Sequence, residues 1–209
     1  MTNGNPALKT IYLASKSPRR KELLRQVGIP FELMPLREHP AERRDVDETP
    51  FPDEPALQYV QRIARTKAEV AGRMMVSRRL PMRLILAADT TVVLNGSILG
   101  KPVDNADAMR MLNQLSGSTH EVLTAVAVTD GRELQETLSR SEVTFRALDE
   151  SEIARYVASG EPVDKAGAYA IQGRAALFVA HLSGSYSGVM GLPLYETALL
   201  LNEFDKVTL

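Results

Sequence analysis

The order of apolar patterns along the chain constrains its fold more than any other feature of the sequence. A short buried-strand pattern at residues 10–14 (TIYLA) leads through SKSPRR into a helical pattern that ends at Gly28. Farther along, strand patterns follow one another directly, with an Asn-Gly hairpin signal and two long runs at residues 121–129 and 134–145. Alternation followed by clustered strands predicts an α/β fold with a mixed sheet flanked by helices, rather than a purely parallel sheet.

Helices are predicted wherever apolar residues recur at helical spacing after a capping residue. The longest runs from about residue 54 to residue 74, and its predicted buried stripe consists of Leu57, Val60, Ala64, Ala68 and Ala71. Others follow Asp104, the Asp149–Glu152 capping-box pair and Pro193. The stretch at residues 35–55 has no periodicity and predicts a long exposed loop, and one more strand is expected around residues 177–179.

Composition excludes several classes of protein. The chain has 209 residues and a formal net charge of −1, so no overall field attracts a nucleic acid polymer or an anionic membrane. It has no cysteine, which excludes disulfides and thiolate chemistry and fits a reducing compartment. Its polar N-terminus lacks a signal-peptide pattern and its apolar runs are short. We therefore predict a cytoplasmic protein with a single domain over residues 1–209.

The first candidate site is the strand-to-helix junction, where polar side chains cluster at the start of a helix. These side chains belong to Ser15, Ser17, Arg19 and Arg20. A helix N-terminus presents unpaired N–H groups, and guanidinium groups are bidentate phosphate donors. The junction therefore predicts a phosphate site, with two solvated surface arginines as the alternative.

The second candidate is Asp89, followed by Thr90, directly after the buried run RLILAA. Open α/β sheets bind their ligands at the carboxyl ends of strands, where an aspartate can bind Mg²⁺ or act as a general base. The alternative is an aspartate that closes the strand by accepting backbone N–H bonds.

Three further features are weaker in isolation. Lys67 lies beside the buried stripe of the long helix, so it either extends to solvent or faces a cleft with an anion. Lys101, between Gly and Pro, either reaches a phosphate or is an exposed loop lysine. In DKAGAYAIQG at residues 164–173, small residues permit close approach of a ligand, and the Gln172 amide suits the edge of a base; a tight structural turn is the alternative.

Other hydrolytic chemistries lack their motifs. His39, His120 and His181 are scattered without the spacing of metal ligands. The segment GSYSG at residues 184–188 is not a nucleophile elbow, and no Walker A pattern occurs.

Six motifs in a fixed order give the chain a resemblance to the Maf family of nucleotide pyrophosphatases. They are LASKSPRR at residues 13–20, DVDET at 45–49, RTKA at 65–68, ADT at 88–90, GKP at 100–102 and GLPL at 191–194. The resemblance implies an elongated, curved mixed sheet in two lobes around a central cleft, similar to inosine-triphosphate pyrophosphatases. It implies hydrolysis of the α–β phosphoanhydride of a nucleoside triphosphate with a divalent cation, Mg²⁺ or Mn²⁺.

The same resemblance assigns roles to individual residues. Asp89 would activate water, and Glu48 would join it at the metal. The triphosphate would contact Ser15, Arg19, Arg20, Lys67 and Lys101. The segment at residues 164–173 resembles the branch that prefers dTTP and UTP, in which Arg19, Thr90 and Gln172 are linked to substrate choice. The resemblance also allows CTP and modified pyrimidine nucleotides as substrates, and a homodimer.

Three alternatives remain open from the sequence. The protein could act on 7-methyl-GTP or inosine triphosphate, or it could bind nucleotides as a regulator of septum formation. The segment REHPAERR at residues 37–44 is longer than the family pattern, so it is either a surface insertion or a change in access to the cleft near Glu48.

Overall fold

Seven strands form one sheet in the computed structural model, which describes residues 9–36 and 45–205. The strands are Ile11–Leu13 (β1), Phe31–Leu33 (β2), Ile85–Leu94 (β3), Ser97–Leu99 (β4), Thr119–Thr129 (β5), Leu134–Phe145 (β6) and Val179–Ser183 (β7). Their order is β2-β1-β3-β5-β6-β7, and β4 pairs with β3. Strand β1 is parallel to β2 and β3, whereas the other pairs are antiparallel. The predicted mixed α/β sheet is confirmed.

Six α-helices accompany the sheet within the described residues. They are Pro18–Gln26 (α1), Ala56–Ser77 (α2), Asn105–Leu115 (α3), Glu150–Ala158 (α4), Tyr186–Met190 (α5) and Leu194–Asp205 (α6). The predicted caps are confirmed where the signal is local: Ser17 caps α1, Asp104 caps α3, and Asp149 forms a capping box with Glu152 on α4.

Helices cover both faces of the sheet, and the side chains of β3 alternate between the two faces. Ile85 and Ala87 pack against α2 in one apolar cluster. Leu86 and Ala88 belong to the other cluster, which includes side chains from α1, α3, α4 and α6. Neighbouring residues of β3 therefore face opposite layers, and this alternation also separates the polar side chains farther along the strand.

Several sequence predictions need correction. The rest of the predicted stripe of α2, including Val60 and Ala64, is fully buried, but Leu57 in the first turn is 41% exposed, and Ile63 joins the buried face. Residues 174–178 form a 3-10 turn, so β7 begins at Val179, the last residue of the predicted strand. The segment predicted to be an exposed loop buries Leu36 and Val46 against α2. The predicted insertion at residues 37–44 lies outside the described residues.

The described helices can be compared with the dimensions of a bilayer. None of them combines the length and apolar character needed to cross a membrane.

Candidate active site

A gap in the pairing of β3 creates the candidate site. Strand β5 pairs with one edge of β3 from Ile85 to Val93, so β1 and β4 must share the other edge. The register of β1 ends at Leu86, and that of β4 begins at Val92. In the described part of the chain, the edge between these two residues carries no strand.

Asp89 lies at this gap, within β3 rather than at its end. The sequence prediction placed it directly after the strand, and this is wrong because pairing with β5 extends β3 to Val93 and pairing with β4 extends it to Leu94. Asp89 nevertheless lies beyond the end of the register with β1, which stops at Leu86.

Lys67 bridges two carboxylates at the gap. Its ammonium nitrogen lies 2.8 Å from Asp89 Oδ1 and 2.6 Å from Glu48 Oε1. Lys67 and Asp89 are each 8% exposed, so this pairing is largely screened from water. Of the two alternatives for Lys67, extension to solvent is excluded, and its ammonium faces two protein carboxylates.

The pKa values of these groups reflect the pairing. Burial alone would lower the pKa of Lys67, but the negative charges of Asp89 and Glu48 outweigh it and raise that pKa. Burial alone would raise the pKa of Glu48, but the Lys67 ammonium, with smaller contributions from Lys101 and Arg20, lowers it. Three cations therefore act on one carboxylate, which places positive charge densely around the gap.

Tyr59 holds the segment that carries Glu48. Its hydroxyl donates a hydrogen bond of 3.0 Å to the Glu48 backbone oxygen. Burial raises the pKa of Tyr59, and the nearby charges of Asp89 and Glu48 raise it further. Sequence reasoning missed this residue, although Tyr59 precedes Lys67 by eight positions, about two helical turns, and so shares its face of α2.

Arg20 organises the opposite face of β3. Its Nε donates to Gly191 O at 2.7 Å, and its terminal nitrogens donate to Ser15 Oγ and Thr90 Oγ1, each at 3.2 Å. A side chain bound at three points is pre-organised, which favours recognition of a planar anionic group. The structure thus brings Ser15, Arg20 and Thr90 together, three of the residues that the sequence singled out.

Thr124 extends this network, and sequence reasoning missed it. The Thr124 hydroxyl lies 3.0 Å from Thr90 Oγ1 and donates to Gly188 O at 2.8 Å. It is 1% exposed on β5. The register that pairs Thr90 with Thr124 could not be obtained from local sequence, because it depends on how two distant strands align.

Arg19 lies next to the network on α1. Its Nε donates to Met190 O at 3.3 Å, so the two arginines of the junction contact the last residue of α5 and the residue that follows it. Burial lowers the pKa of Arg19, and the negative charge of Asp164 opposes this effect. Arg19 therefore lies near the start of the segment at residues 164–173.

Lys101 and Gln172 complete the predicted set. The Gly167 N–H donates to Gly100 O at 3.0 Å, which places the segment at residues 164–173 beside the turn that carries Lys101. The Lys101 side chain is exposed, and its charge acts on Glu48. Gln172 is exposed in the same segment, and within the described residues no hydrogen bond joins it to the ion-paired groups.

The carboxylates at the gap can be compared with the ligands that a divalent cation requires. Across residues 9–36 and 45–205, no group of three or more His, Asp or Glu side chains could hold a metal alone. Glu48 and Asp89 do converge, since both lie within hydrogen-bond distance of one nitrogen. One or two carboxylates completed by substrate phosphates and water is the usual protein environment of Mg²⁺. The residues fit a metal bound together with a polyphosphate.

Comparison with known proteins identifies the family. The Maf-like protein family matches residues 10–204. The dTTP/UTP pyrophosphatase of Aromatoleum aromaticum is 58% identical over 200 residues, which cover 95% of this chain and 97% of that protein. The dTTP/UTP pyrophosphatase of Dechloromonas aromatica is 56% identical over 191 residues, or 91% of this chain and 95% of that protein. The chain therefore belongs to the Maf-like protein family, and the predicted resemblance is confirmed.

A solved structure with partial similarity is that of the Staphylococcus aureus Ham1 protein. It has a TM-score of 0.44 and 16% identity, and the match covers 66% of this chain and 72% of that chain. This similarity is too weak to support a conclusion.

Proposed function

We propose that this protein hydrolyses dTTP and UTP, and with them CTP and modified pyrimidine nucleotides, to the monophosphate and pyrophosphate. Relatives named dTTP/UTP pyrophosphatase that are 56% to 58% identical over most of both chains support this substrate class. The observation that carries the proposal is the Lys67 ammonium held between Asp89 and Glu48 at the gap in β3. This arrangement places the Asp89 carboxylate, a proton acceptor, within hydrogen-bond distance of the Lys67 ammonium, a cation.

The triphosphate binds along the cations that border the gap. A triphosphate carries roughly three to four negative charges, since each phosphate contributes one to two. Arg20, fixed by Ser15, Thr90 and Gly191, presents an oriented guanidinium. Lys101 adds a point charge on a flexible stem from its exposed turn. Such positioning and charge neutralisation supply most of the catalysis in phosphoryl chemistry.

Asp89 accepts the proton of the attacking water. Its carboxylate is held by the Lys67 ammonium at 2.8 Å, which fixes the direction in which it accepts. Glu48 and Asp89 are the residues that would hold a divalent cation, Mg²⁺ or Mn²⁺, which would neutralise charge on the phosphate oxygens. Tyr59 fixes the Glu48 backbone so that both carboxylates converge.

The pyrimidine base is selected by Gln172, with Arg19 and Thr90. A glutamine amide offers both a donor and an acceptor, and uracil and thymine present O4 and N3–H as the matching pair. Gln172 is exposed, so its amide is accessible to a ligand, and Arg19 lies near the same segment.

The cellular setting is part of the proposal. We place the protein in the cytoplasm, a location that its lack of cysteine fits. Self-association as a homodimer is a further expectation, and sedimentation velocity would test it.

A nucleotide panel tests the function. Pyrophosphate release is measured from dTTP, UTP, CTP, 7-methyl-GTP and inosine triphosphate with Mg²⁺ or Mn²⁺, for wild type and for Gln172→Glu. The proposal predicts turnover of dTTP and UTP, and a weaker preference for them in the variant. Cleavage of 7-methyl-GTP alone would show that the substrate assignment is wrong, and binding without cleavage would favour a regulatory role.

A further inference from the structure

The segment at residues 164–173 is held in an unusual backbone conformation. Three of its residues have positive φ: 60° at Asp164, 67° at Gly167 and 61° at Ala168. Left-handed backbone costs a non-glycine residue free energy, so it persists only where surrounding contacts hold it. The contacts that hold this segment include one before and one after Gln172.

Glu161 provides the contact that follows Gln172. Its Oε2 accepts from the Arg174 N–H at 3.0 Å, and its Oε1 accepts from the Ala175 N–H at 3.5 Å and from the Tyr156 hydroxyl at 3.1 Å. Hydrogen bonds to an ionised acceptor are about twice as strong as neutral ones. One carboxylate thereby ties α4 to the start of the 3-10 turn that follows Gln172.

Gly173 shows how closely this carboxylate approaches the backbone. A Cβ atom placed on Gly173 would overlap Glu161 Oε1, far inside van der Waals contact. The φ of Gly173 is −102°, which any residue adopts, so a side chain here would meet no backbone strain but would have to displace the Glu161 carboxylate. The residue directly after Gln172 is thus packed on the Glu161 carboxylate.

A second buried contact holds the segment before Gln172. The Tyr169 hydroxyl lies 2.9 Å from His120 Nε2, and both residues are buried. Gln172 therefore follows Tyr169 by three positions and directly precedes Gly173, which packs on Glu161. The side chain of Gln172 itself is exposed. The Gln172 backbone is fixed at both ends, and its amide is left to meet a ligand.

We propose that Glu161 is a positioning residue for base selection: its carboxylate fixes the turn after Gln172 and so sets the direction of the Gln172 amide. This inference rests on the proposed function, because it requires Gln172 to read the base. Glu161 contacts no substrate in this account, and it acts only through the backbone at Gly173 and the two residues that follow.

The test compares Glu161→Gln with wild type, with Glu142→Gln as the matched control. Glutamine keeps the size but presents one acceptor oxygen instead of two, so it cannot accept from the Arg174 N–H on one oxygen and from the Tyr156 hydroxyl on the other. Glu142 is an exposed residue of β6, outside the site. Loss of the equivalent of one good hydrogen bond predicts that kcat/KM for UTP falls about tenfold in Glu161→Gln and by less than about twofold in Glu142→Gln.

Inorganic tripolyphosphate separates positioning of the base from loosening of the whole site, because it has no base. Its inhibition constant should stay within about twofold of wild type in Glu161→Gln, since the phosphate contacts are made by other residues. An equal loss for UTP and tripolyphosphate would overturn the proposal.

A double-mutant cycle with Gln172→Ala makes the test specific. If Glu161 acts through Gln172, adding Glu161→Gln to Gln172→Ala changes kcat/KM for UTP by less than about twofold. A full tenfold loss in that background would contradict the proposal. If Gln172→Ala alone leaves UTP turnover unchanged, base reading by Gln172 fails first, and the two failures are distinguished.

Gly173→Ala keeps the proposal falsifiable if Glu161→Gln does not fold. The added methyl group displaces the carboxylate without changing its charge, so it should reproduce the loss for UTP and spare tripolyphosphate. Full UTP turnover in a folded Gly173→Ala protein would overturn the proposal.

Discussion

At the scale of single residues, the site depends on one buried cation shared by two carboxylates. Lys67 can be charged in a largely buried position because Asp89 and Glu48 both contact its ammonium nitrogen. Removing one partner from such a group leaves an uncompensated charge, which is more costly than never having buried the group. Function and stability are therefore linked at this residue.

Replacing Lys67 by methionine tests that link. The change leaves Asp89 and Glu48 close together without a cation, so the free energy of unfolding should fall by about 2–4 kcal/mol. Urea denaturation measures it. Adding Glu48→Gln removes one of the two charges and should restore part of the loss; a double variant that is less stable than Lys67→Met would contradict this account.

Arg20 tests the phosphate side of the site. Lysine keeps the charge but cannot reach Ser15, Thr90 and Gly191 together, so Arg20→Lys should raise KM for UTP by roughly tenfold or more. Steady-state kinetics measures the effect. Arg25→Lys, at an exposed position of the same helix, is the control and should leave KM unchanged.

At the scale of elements, features set by local sequence signals were predicted well, whereas features set by long-range contacts were not. The cap of α1 and the capping box of α4 were predictable because donor and acceptor lie within three or four residues. The start of β7 was missed because residues that look like a strand form a 3-10 turn on the core. The buried face of α2 was predictable from its periodicity, but Leu57 was wrongly included because periodicity does not show that the first turn of the helix is left uncovered.

The candidate site shows the same difference between residues found from local motifs and residues brought in by long-range contacts. The family motifs identified the residues that line the gap, including Asp89 and Arg20. Thr124 and Glu161 were missed, because each contacts the site across an interval that no local pattern specifies. The position of Asp89 within its strand also required knowledge of the partner strand β5.

Packing between the segment at residues 164–173 and β3 gives a prediction at this scale. Gly167 has φ of 67°, and a Cβ there would lie 2.9 Å from the Val92 side chain. Gly167→Ala adds both backbone strain and a clash, so it should lower the free energy of unfolding by about 2–4 kcal/mol, measured by urea denaturation.

Gly160→Ala is the matched control for that variant. Gly160 has φ of 75°, and a Cβ there would have nothing within 4 Å, so alanine adds strain alone. Its loss should be about 1 kcal/mol. Equal losses in both variants would show that contact with Val92 contributes nothing.

At the scale of the whole molecule, the core on one face of the sheet contains a neutral histidine. His120 is 2% exposed, and burial lowers its pKa to about 4. The unfolded chain takes up a proton near pH 6.5, whereas the folded protein does so only near pH 4. Its contribution to stability is therefore complete above pH 6.5 and is lost as the pH falls towards 4.

The lowered pKa of His120 makes the free energy of unfolding depend on pH. Between pH 6.5 and pH 4, wild type should lose up to about 3 kcal/mol more unfolding free energy than His120→Gln, which does not titrate. Denaturant titrations at several pH values measure the difference. A wild-type slope in His120→Gln would contradict the assignment.

We propose that the residues at the gap in β3 cleave the α–β bond of a pyrimidine nucleoside triphosphate, with Asp89 as proton acceptor. The most direct measurement is ³¹P NMR of the products of dTTP and UTP, for wild type and Asp89→Asn at matched nucleotide saturation. The account predicts monophosphate and pyrophosphate from wild type, and a loss of at least about a hundredfold in the variant with nucleotide binding retained. Release of diphosphate and inorganic phosphate, or full turnover by Asp89→Asn, would contradict it.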